Sequence, residues 1–329
     1  RPGCRGQVGG DGVHKYYRWV ERAIRENMPY DEFSRELLAS AGSTLTNPPA
    51  NFYRTAGDTN DCVETVSQVF LGARQDAGQQ RQRLNKVIVA LEEERPAIAG
   101  EDWRFIDMEH SPFSAERLRM ILSEMDQDRD ATGRLPLAPL VRIPQDGDED
   151  FRWAVKQVLD LGAFGVILPH VDTREEAVRL VRAMRYPPMK DATHPEPRGE
   201  RGWGPGPAIR LWRSGNAQEY HRRADVWPLN PEGELFAVAI IESAEAVRNI
   251  AEILTAPLSA IMVVPGDMSI DLGLGPPGAE IYPEVDAAFQ TVLKACMEQD
   301  IVVCGCGDAR SRIPRRLEEG WEFVLPLGG

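Results

Sequence analysis

Two acidic side chains follow apolar runs of the sequence, each close to the point where the run ends. Glu242 comes directly after Phe236–Ile241, and Asp267 follows Ala260–Val264 after a Pro-Gly pair. Neither run alternates with polar residues, which is typical of strands covered on both faces in a parallel sheet. Because the carboxyl ends of parallel strands meet at one edge, the two carboxylates are expected to lie close enough to bind one hard divalent cation.

Three further predicted strands also end in ionisable side chains. Asp107, Glu109 and His110 follow RFI, Arg142 closes PLV, and His170 follows FGVILP. Chance placement would scatter such residues over both ends of the strands, so this common register favours a catalytic face. Each residue also has a structural interpretation as a helix cap, an ion-pair member or a pocket wall, and the spacing alone leaves that choice open.

The strands that carry these residues alternate with helical patterns from residue 83 onward. About eight such βα units fit into residues 83–329, which predicts an α/β protein with a (β/α)8 TIM barrel. A doubly wound open sheet is the alternative, but no GxGxxG or phosphate-binding loop follows an early strand. The barrel is expected to be incomplete at its first and last helices. Too few residues separate Ala99 from Arg104 for a parallel crossover, and the sequence stops straight after the last strand.

Two segments depart from this alternation. Residues 1–76 have helical patterns over 13–26, after Pro29 and over 61–74, and are expected to form a small N-terminal helical domain. Residues 190–230 are rich in Pro, Gly, Trp and Arg and are too long for a plain connector. We expect them to form a lid over the carboxyl face or an arm at a subunit interface.

The N-terminal segment contains the phrases ENMPYDEFSRELLA, NPPANFYR and SQVFLGAR. Through them, residues 11–74 resemble a bacterial cytochrome-associated domain of unknown function. In that family the last phrase leads into a CxxCH-type element, but here Gln75–Gln82 follows without a cysteine. Haem chemistry is therefore not expected of this segment, and a structural role is favoured.

The composition limits the classes of partner. The chain of 329 residues carries a formal net charge of −13, which argues against a nucleic-acid-binding surface. No run approaches the roughly 18 apolar residues of a membrane span and no signal peptide is recognised, so no membrane partner is expected. The five cysteines lack the spacing of a disulfide framework, which favours reduced thiols and a cytoplasmic location.

Several long phrases of residues 83–329 carry a second resemblance: FIDMEHSPF, PLVRIP, QVLDLGAFGVILPHVDT, ADVWPLNPEGEL, IIESAEAVRNIAEIL and VVPGDMSIDLG. Through them the segment resembles the HpcH/HpaI aldolase family of the phosphoenolpyruvate/pyruvate barrel superfamily. Members are metal-dependent class II aldolases that join or cleave pyruvate-type 2-oxo acids and aldehydes. No lysine ends a predicted strand, which also argues against a Schiff-base aldolase.

The resemblance implies roles for the strand-end residues. Glu242 and Asp267 resemble the two acids that bind the metal ion. His110 with Asp107 resembles the pair that acts as a general base, and Arg142 resembles the residue that holds the 2-oxo acid and its enolate.

Further implications concern the pocket and the ligands. His170, Pro265 and Gly266 are expected to contribute to substrate binding, with His170 a wall of the pocket rather than a metal ligand. The expected ion is Mg²⁺ or Mn²⁺, with Co²⁺ as a further candidate. The expected partners are a pyruvate-type acid, an aldehyde and further copies of the chain in a homo-oligomer.

Two other functions remain open at this point. A citramalyl-CoA or malyl-CoA lyase-like enzyme would need a basic surface for CoA, for which the arginines of Arg198–Arg223 are the candidates. A catalytically inactive remnant barrel in a fusion protein would explain the missing first crossover. Ile240 stands where some relatives carry a polar glutamine, which leaves the choice of substrate open.

Overall fold

A computed structural model describes most of the chain and all of the predicted strand ends. The described residues are 10–25, 28–29, 32–33, 35–36, 39–40, 47–51, 82–190, 192–278, 280–299 and 302–328. The chain divides into two compact units, Arg1–Gln82 and Arg83–Gly329. Within the described residues, no helix has both the length and the apolar character needed to cross a membrane.

The first unit contains helix α1 (Gly10–Arg25) and a 3-10 turn at Pro48–Asn51. Trp19 of α1 is buried and stacks on Phe33 with 5.0 Å between the ring centroids. Its indole nitrogen donates a hydrogen bond to Glu36. The helix predicted over 61–74, and most of the segment that resembles a cytochrome-associated domain, lie outside the described residues.

The second unit alternates strands and helices. Its strands are β1 (Trp103–Asp107), β2 (Ala138–Arg142), β3 (Gly165–Leu168), β4 (Val226–Trp227), β5 (Leu235–Ile241), β6 (Ala260–Val263), β7 (Val303–Ala309) and β8 (Phe323–Leu327). Its helices are α2 (Lys86–Glu92), α3 (Ala115–Gln127), α4 (Arg152–Leu161), α5 (Arg174–Met184), α6 (Gly206–Leu211), α7 (Ala217–Arg223), α8 (Ala244–Arg248), α9 (Ile250–Ile253), α10 (Pro265–Asp271), α11 (Pro283–Gln299) and α12 (Ile313–Glu319).

All the strands run parallel in the order β1-β2-β3-β5-β6-β7-β8, and the short β4 pairs with the beginning of β5. The order follows the chain without the reversal that defines a doubly wound sheet. Strands β2, β3, β5 and β6 are buried at every residue, as their unbroken apolar sequences predict. The predicted α/β barrel, incomplete in its first βα unit, is therefore confirmed.

A seam lies where a full barrel would have its first crossover. Ile98 forms an isolated parallel bridge with Phe323, donating its N–H to Glu322 and accepting from Val324. The chain then turns at Ala99–Asp102 and enters β1, which pairs with β2 on its other side. Among the described residues, this single bridge is the pairing that joins the segment before β1 to β8.

The amino-terminal end of the barrel is filled by apolar rings and covered by α2. The ring of Trp103 lies 4.5 Å from that of Phe323, which in turn lies 5.7 Å from Phe236. Helix α2 is tied down by Glu234, a buried acid whose carboxylate accepts from the N–H groups of Leu84 and Asn85.

The segment 190–230 packs at this same amino-terminal end, so its predicted place over the carboxyl face is wrong. Trp212 stacks on Phe164, which directly precedes β3, and donates to the carbonyl of Gly162. The cause is a set of bulky aromatic residues that need an apolar partner, and the start of β3 offers one. Two arginines of the segment are also buried and ion-paired, Arg201 with Asp160 and Arg223 with Glu234. They are not part of a basic surface.

Two element boundaries differ from those predicted. Apolar residues recur at helical spacing over 244–254 and predict one helix, but the helix breaks at Asn249. The side-chain amide of Asn249 donates to the carbonyl of Asp172. The apolar run Ile301–Cys304 predicts a strand, whereas β7 begins at Val303 and continues to Ala309. Gly305 supports pairing with β6, because a Cβ at this position would lie 2.5 Å from the carbonyl oxygen of Ile261.

Candidate active site

Glu242 lies at the carboxyl end of β5 and is almost completely buried, with 1% of its surface exposed. Its Oε1 accepts a hydrogen bond of 2.8 Å from the backbone N–H of His170. Its Oε2 is also buried and has no hydrogen-bond partner among the described residues. Burial raises the pKa of Glu242 to about 7, although the neighbouring His170 opposes the shift. A cation could bind the carboxylate oxygen that has no hydrogen-bond partner.

Asp267 lies in the first turn of α10, which begins at Pro265 just beyond the end of β6. Pro265 is buried, whereas Gly266 and Asp267 are half-buried. A Cβ placed on Gly266 would meet nothing within 4 Å, so the space beside this turn is open. The proline suits the start of a helix, because the first N–H groups have no partner within the helix.

His170 follows β3 and adopts a left-handed backbone with a φ of 48°. Its Nδ1 lies 3.6 Å from Glu242 Oε1, and its Nε2 lies 4.0 Å from an oxygen of Asp146. Burial alone would lower the pKa of His170, but the negative charges around it, above all that of Glu242, raise it above its ordinary value. The imidazole therefore lies between two carboxylates, with one ring nitrogen facing each.

His170, Glu242 and Asp267 each offer a ligand atom, and these atoms lie within 4.8 Å of one another. They come from the ends of β3, β5 and β6, which are neighbours in the sheet. Two carboxylates and an imidazole are ligands of divalent cations, and the free Oε2 of Glu242 gives one of them an unused acceptor. The residues present therefore fit a divalent metal ion.

Arg142 and Asp107 end β2 and β1 at directly opposite positions of the strand register. The guanidinium donates to both oxygens of Asp107, from Nε at 3.0 Å and from Nη2 at 2.7 Å. Its Nη1 lies 2.7 Å from Glu109 Oε2, and the group stacks over the ring of Phe105. Burial alone would raise the pKa of Asp107, but the hydrogen bonds and charge of Arg142 bring it below its ordinary value.

His110 lies in the loop after β1 with 62% of its side chain exposed. Its imidazole Nε2 is 3.6 Å from Glu109 Oε2, and its backbone N–H donates to Asp107 at 3.4 Å. The contacts of the Asp107 carboxylate described here are with Arg142 and with backbone N–H groups. The carboxylate nearest to the imidazole is therefore that of Glu109, and Asp107 orients the arginine.

A second cluster of possible metal ligands lies between Arg142 and Glu242. Glu109, Asp146 and His170 also offer ligand atoms within 4.8 Å of one another. Burial raises the pKa of both acids. Sequence reasoning noted Glu109 without a role and missed Asp146, which stands four residues after Arg142 in the acidic stretch QDGDED. That stretch, so close to a strand end, was the signal that could have pointed to Asp146.

The end of β7 carries Asp308, a buried acid that sequence reasoning also missed. Its two oxygens accept from Arg312, which directly precedes α12, and from Arg316 of α12, which is fully buried. These pairs hold α12 against the barrel wall. Since Asp308 is engaged by two cations, we interpret it as a structural residue.

The chain is similar to several known proteins. A family model described as HpcH/HpaI aldolase/citrate lyase matches residues 91–316, a range that does not include residues 11–74. A hydroxypyruvate/pyruvate aldolase of Chromohalobacter salexigens is 31% identical over 230 residues, 69% of this chain and 78% of the relative. Another from Paraburkholderia phytofirmans is 30% identical over 200 residues, 60% of this chain and 67% of the relative.

A solved structure is similar as well. The HpcH/HpaI aldolase from Desulfitobacterium hafniense DCB-2 superimposes with a TM-score of 0.56 at 28% sequence identity. The similarity covers 75% of this chain and 83% of that structure.

Proposed function

Because the chain belongs to the HpcH/HpaI aldolase/citrate lyase family, we propose that it is a metal-dependent class II aldolase. It would be a carbon–carbon lyase that cleaves or forms aldols of 2-oxo acids through the enolate of pyruvate. The observation that carries the proposal is the buried carboxylate of Glu242, with one free oxygen, among ligand atoms of His170 and Asp267. The aldolases named for pyruvate among its relatives support this substrate class.

Glu242 and Asp267 would hold the ion, which we propose to be Mg²⁺ or Mn²⁺, with Co²⁺ as an alternative. An ion bound there would act as a Lewis acid on the carbonyl and carboxylate oxygens of the substrate. The open space beside Gly266 leaves room for a small acid next to Pro265.

Arg142 would stabilise negative charge on the enolate oxygen. Its guanidinium carries five N–H donors, and two of them bind Asp107 through hydrogen bonds. Its Nη1 is also ion-paired with Glu109, and the donors that do not bind Asp107 are the candidates to bind substrate oxygens. Because Asp107 accepts two hydrogen bonds from the guanidinium of Arg142, the N–H donors of this arginine are oriented before substrate binds. Such preorganisation favours stabilisation of the transition state.

His110 would move the proton. Its imidazole is exposed towards solvent, close to Glu109, and free to meet a substrate at the carboxyl edge. A histidine suits this role because its ordinary pKa lies near neutrality. Asp107 would act through the arginine that it orients.

We also propose that the protein acts in the cytoplasm as a homo-oligomer and that residues 1–76 form a separate helical domain. The acidic composition and the cysteine usage support the cytoplasmic location. The division of the chain near residue 82 supports the second.

The simplest test measures exchange of the methyl protons of pyruvate with deuterium in D₂O, followed by NMR. This half-reaction requires only enolisation, so the aldehyde need not be known. The wild-type protein should exchange in the presence of Mn²⁺ or Mg²⁺ and stop with EDTA. Arg142→Ala should slow exchange by about 10²–10³-fold, as expected for loss of an oxyanion donor. His110→Ala should slow it by about 10²–10⁴-fold.

Arg117→Ala is the matched control, because Arg117 is exposed on α3. It should exchange like the wild type. Exchange that survives EDTA, or none from folded protein that has bound its ion, would rule out the aldolase proposal.

A further inference from the structure

We infer that His170 is a third protein ligand of the divalent ion, positioned by Asp146 and by the backbone of Gly147, an inference that rests on the proposed metal-dependent function. The ion site would then consist of two carboxylates and one imidazole, and the chain would favour a transition metal over Mg²⁺.

The imidazole and the carboxylate of Glu242 are placed for one ion. Nδ1 of His170 lies 3.6 Å from Oε1 of Glu242. Two ligand atoms that each lie about 2.1 Å from an ion can be at most about 4.2 Å apart, so this spacing allows a shared ion. The other oxygen of Glu242 is buried without a partner among the described residues. This free acceptor is an indication of a missing cation that does not depend on the histidine.

The backbone of His170 is held in the conformation that brings the ring there. A φ of 48° is uncommon for any residue other than glycine and is retained only where the surroundings enforce it. The N–H of His170 is bound by Glu242, and its carbonyl accepts from the N–H of Gly147 at 3.2 Å. A Cβ at Gly147 would lie 2.6 Å from that carbonyl oxygen, so only glycine allows this approach.

The second ring nitrogen of His170 faces another acid. Nε2 lies 4.0 Å from Asp146 Oδ1, a distance at which the two groups interact through charge without a direct hydrogen bond. Metal-binding histidines commonly present their second nitrogen to a carboxylate, which fixes the ring and makes the ligand more basic. Asp146 is therefore a positioning residue that acts through His170.

An imidazole ligand changes which ion is preferred. Mg²⁺ favours sites made of oxygen ligands, whereas Mn²⁺, Co²⁺ and Zn²⁺ accept imidazole nitrogen with increasing affinity along the series. With His170 as a ligand, the ratio of Co²⁺ to Mg²⁺ affinity should be larger than two carboxylates alone would give.

The first test uses pulsed electron paramagnetic resonance of the full chain loaded with Mn²⁺. Nitrogen modulation typical of a directly bound imidazole should appear in the wild type and vanish in His170→Gln, with His194→Gln as the matched control. No variant is needed for the wild-type result, so the test survives a folding failure of His170→Gln. Absence of nitrogen coupling in Mn²⁺-loaded wild type would overturn the inference.

The second test compares metal affinities by calorimetry. His170→Gln should lower the Co²⁺ to Mg²⁺ affinity ratio by about tenfold or more. Asp146→Asn should weaken Co²⁺ binding by about 10–100-fold and keep the nitrogen coupling. Unchanged affinity in Asp146→Asn would overturn the positioning role.

Glu242→Gln separates this inference from the proposed function. If Glu242→Gln abolishes binding and His170→Gln leaves the affinity ratio unchanged, the histidine is not a ligand and the two-carboxylate site stands. If the wild-type protein binds none of these ions, both the inference and the metal-dependent function are overturned.

Discussion

Asp107 and Arg142 show how strand register determines chemistry at the scale of single residues. They occupy opposite positions at the ends of β1 and β2, and their side chains meet in a two-point hydrogen-bonded pair. The arginine is therefore positioned by the sheet, because both Cα atoms are set by the ladder. His110, three residues beyond the strand end, has no such constraint and remains exposed.

Glu242 should make the stability of the ion-free protein depend on pH. Its pKa is 4.5 when exposed and about 7 in the folded chain, so the folded state keeps a proton that the unfolded state has released. The free energy of unfolding should therefore fall as pH rises from about 4.5 to 7, by up to roughly 1.4 kcal/mol per pH unit. His170 acts in the same direction, because its pKa is raised and its stabilisation is lost as it deprotonates.

Urea denaturation in EDTA at several pH values checks this prediction. The difference between wild type and Glu242→Gln should shrink, then reverse in favour of the variant, as pH increases through this window. Parallel pH profiles for the two proteins would show that burial does not shift the pKa of Glu242.

At the scale of elements, Glu234 connects α2 and α7 to the barrel. Its buried carboxylate accepts from two N–H groups at the start of α2 and from Arg223 of α7. Glu234→Gln would remove the closer of the two carboxylates that pair with the buried Arg223, at 2.7 Å against 3.6 Å for Glu219. The loss should lower the free energy of unfolding by about 3 kcal/mol. Chemical denaturation measures this loss, and the exposed neighbour Glu232→Gln should stay within about 0.5 kcal/mol of wild type. Equal stability of the two variants would contradict the role of Glu234.

The strands could be predicted from the sequence, because long apolar runs without polar alternation have few other uses in a chain of this composition. Residues at the carboxyl ends of parallel strands lie at the same edge of the sheet. The common location of Arg142, Glu242 and Asp267 could therefore be predicted as well. The partner of each side chain did not follow, because it depends on rotamers and on neighbouring loops. Sequence alone therefore paired Asp107 with His110 and missed Asp146.

The segment 190–230 and the end of β7 were mispredicted for different physical reasons. In the segment 190–230, the aromatic residues do not indicate which end of the barrel they pack against, since either end could bury them. At the end of β7, the apolar run Ile301–Cys304 predicts a strand that ends before Gly305. Close packing of β7 against β6 requires glycine at position 305. Glycine weakens most strands, but here it is the residue that allows β7 to pair with β6.

At the scale of the whole molecule, the unit Arg83–Gly329 should fold without the residues before it. It has its own continuous core, and the division of the chain falls next to its first residue. A protein that begins at Arg83 should keep the Mn²⁺ affinity of the full chain and unfold cooperatively in urea. Aggregation or loss of ion binding in this shortened protein, with the full chain intact, would show that the two units depend on each other.

The bridge between Ile98 and Phe323 pairs the segment before β1 with β8, and its two residues lie close to the two ends of the second unit. Closing a loop of that length costs more conformational entropy than any pairing between successive strands. We therefore expect the bridge to be the last part of the sheet to assemble and the first to separate. The sheet can then open between Ile98 and β8 while β2 to β7 stay paired. We therefore expect local opening at this bridge without unfolding of the rest of the domain.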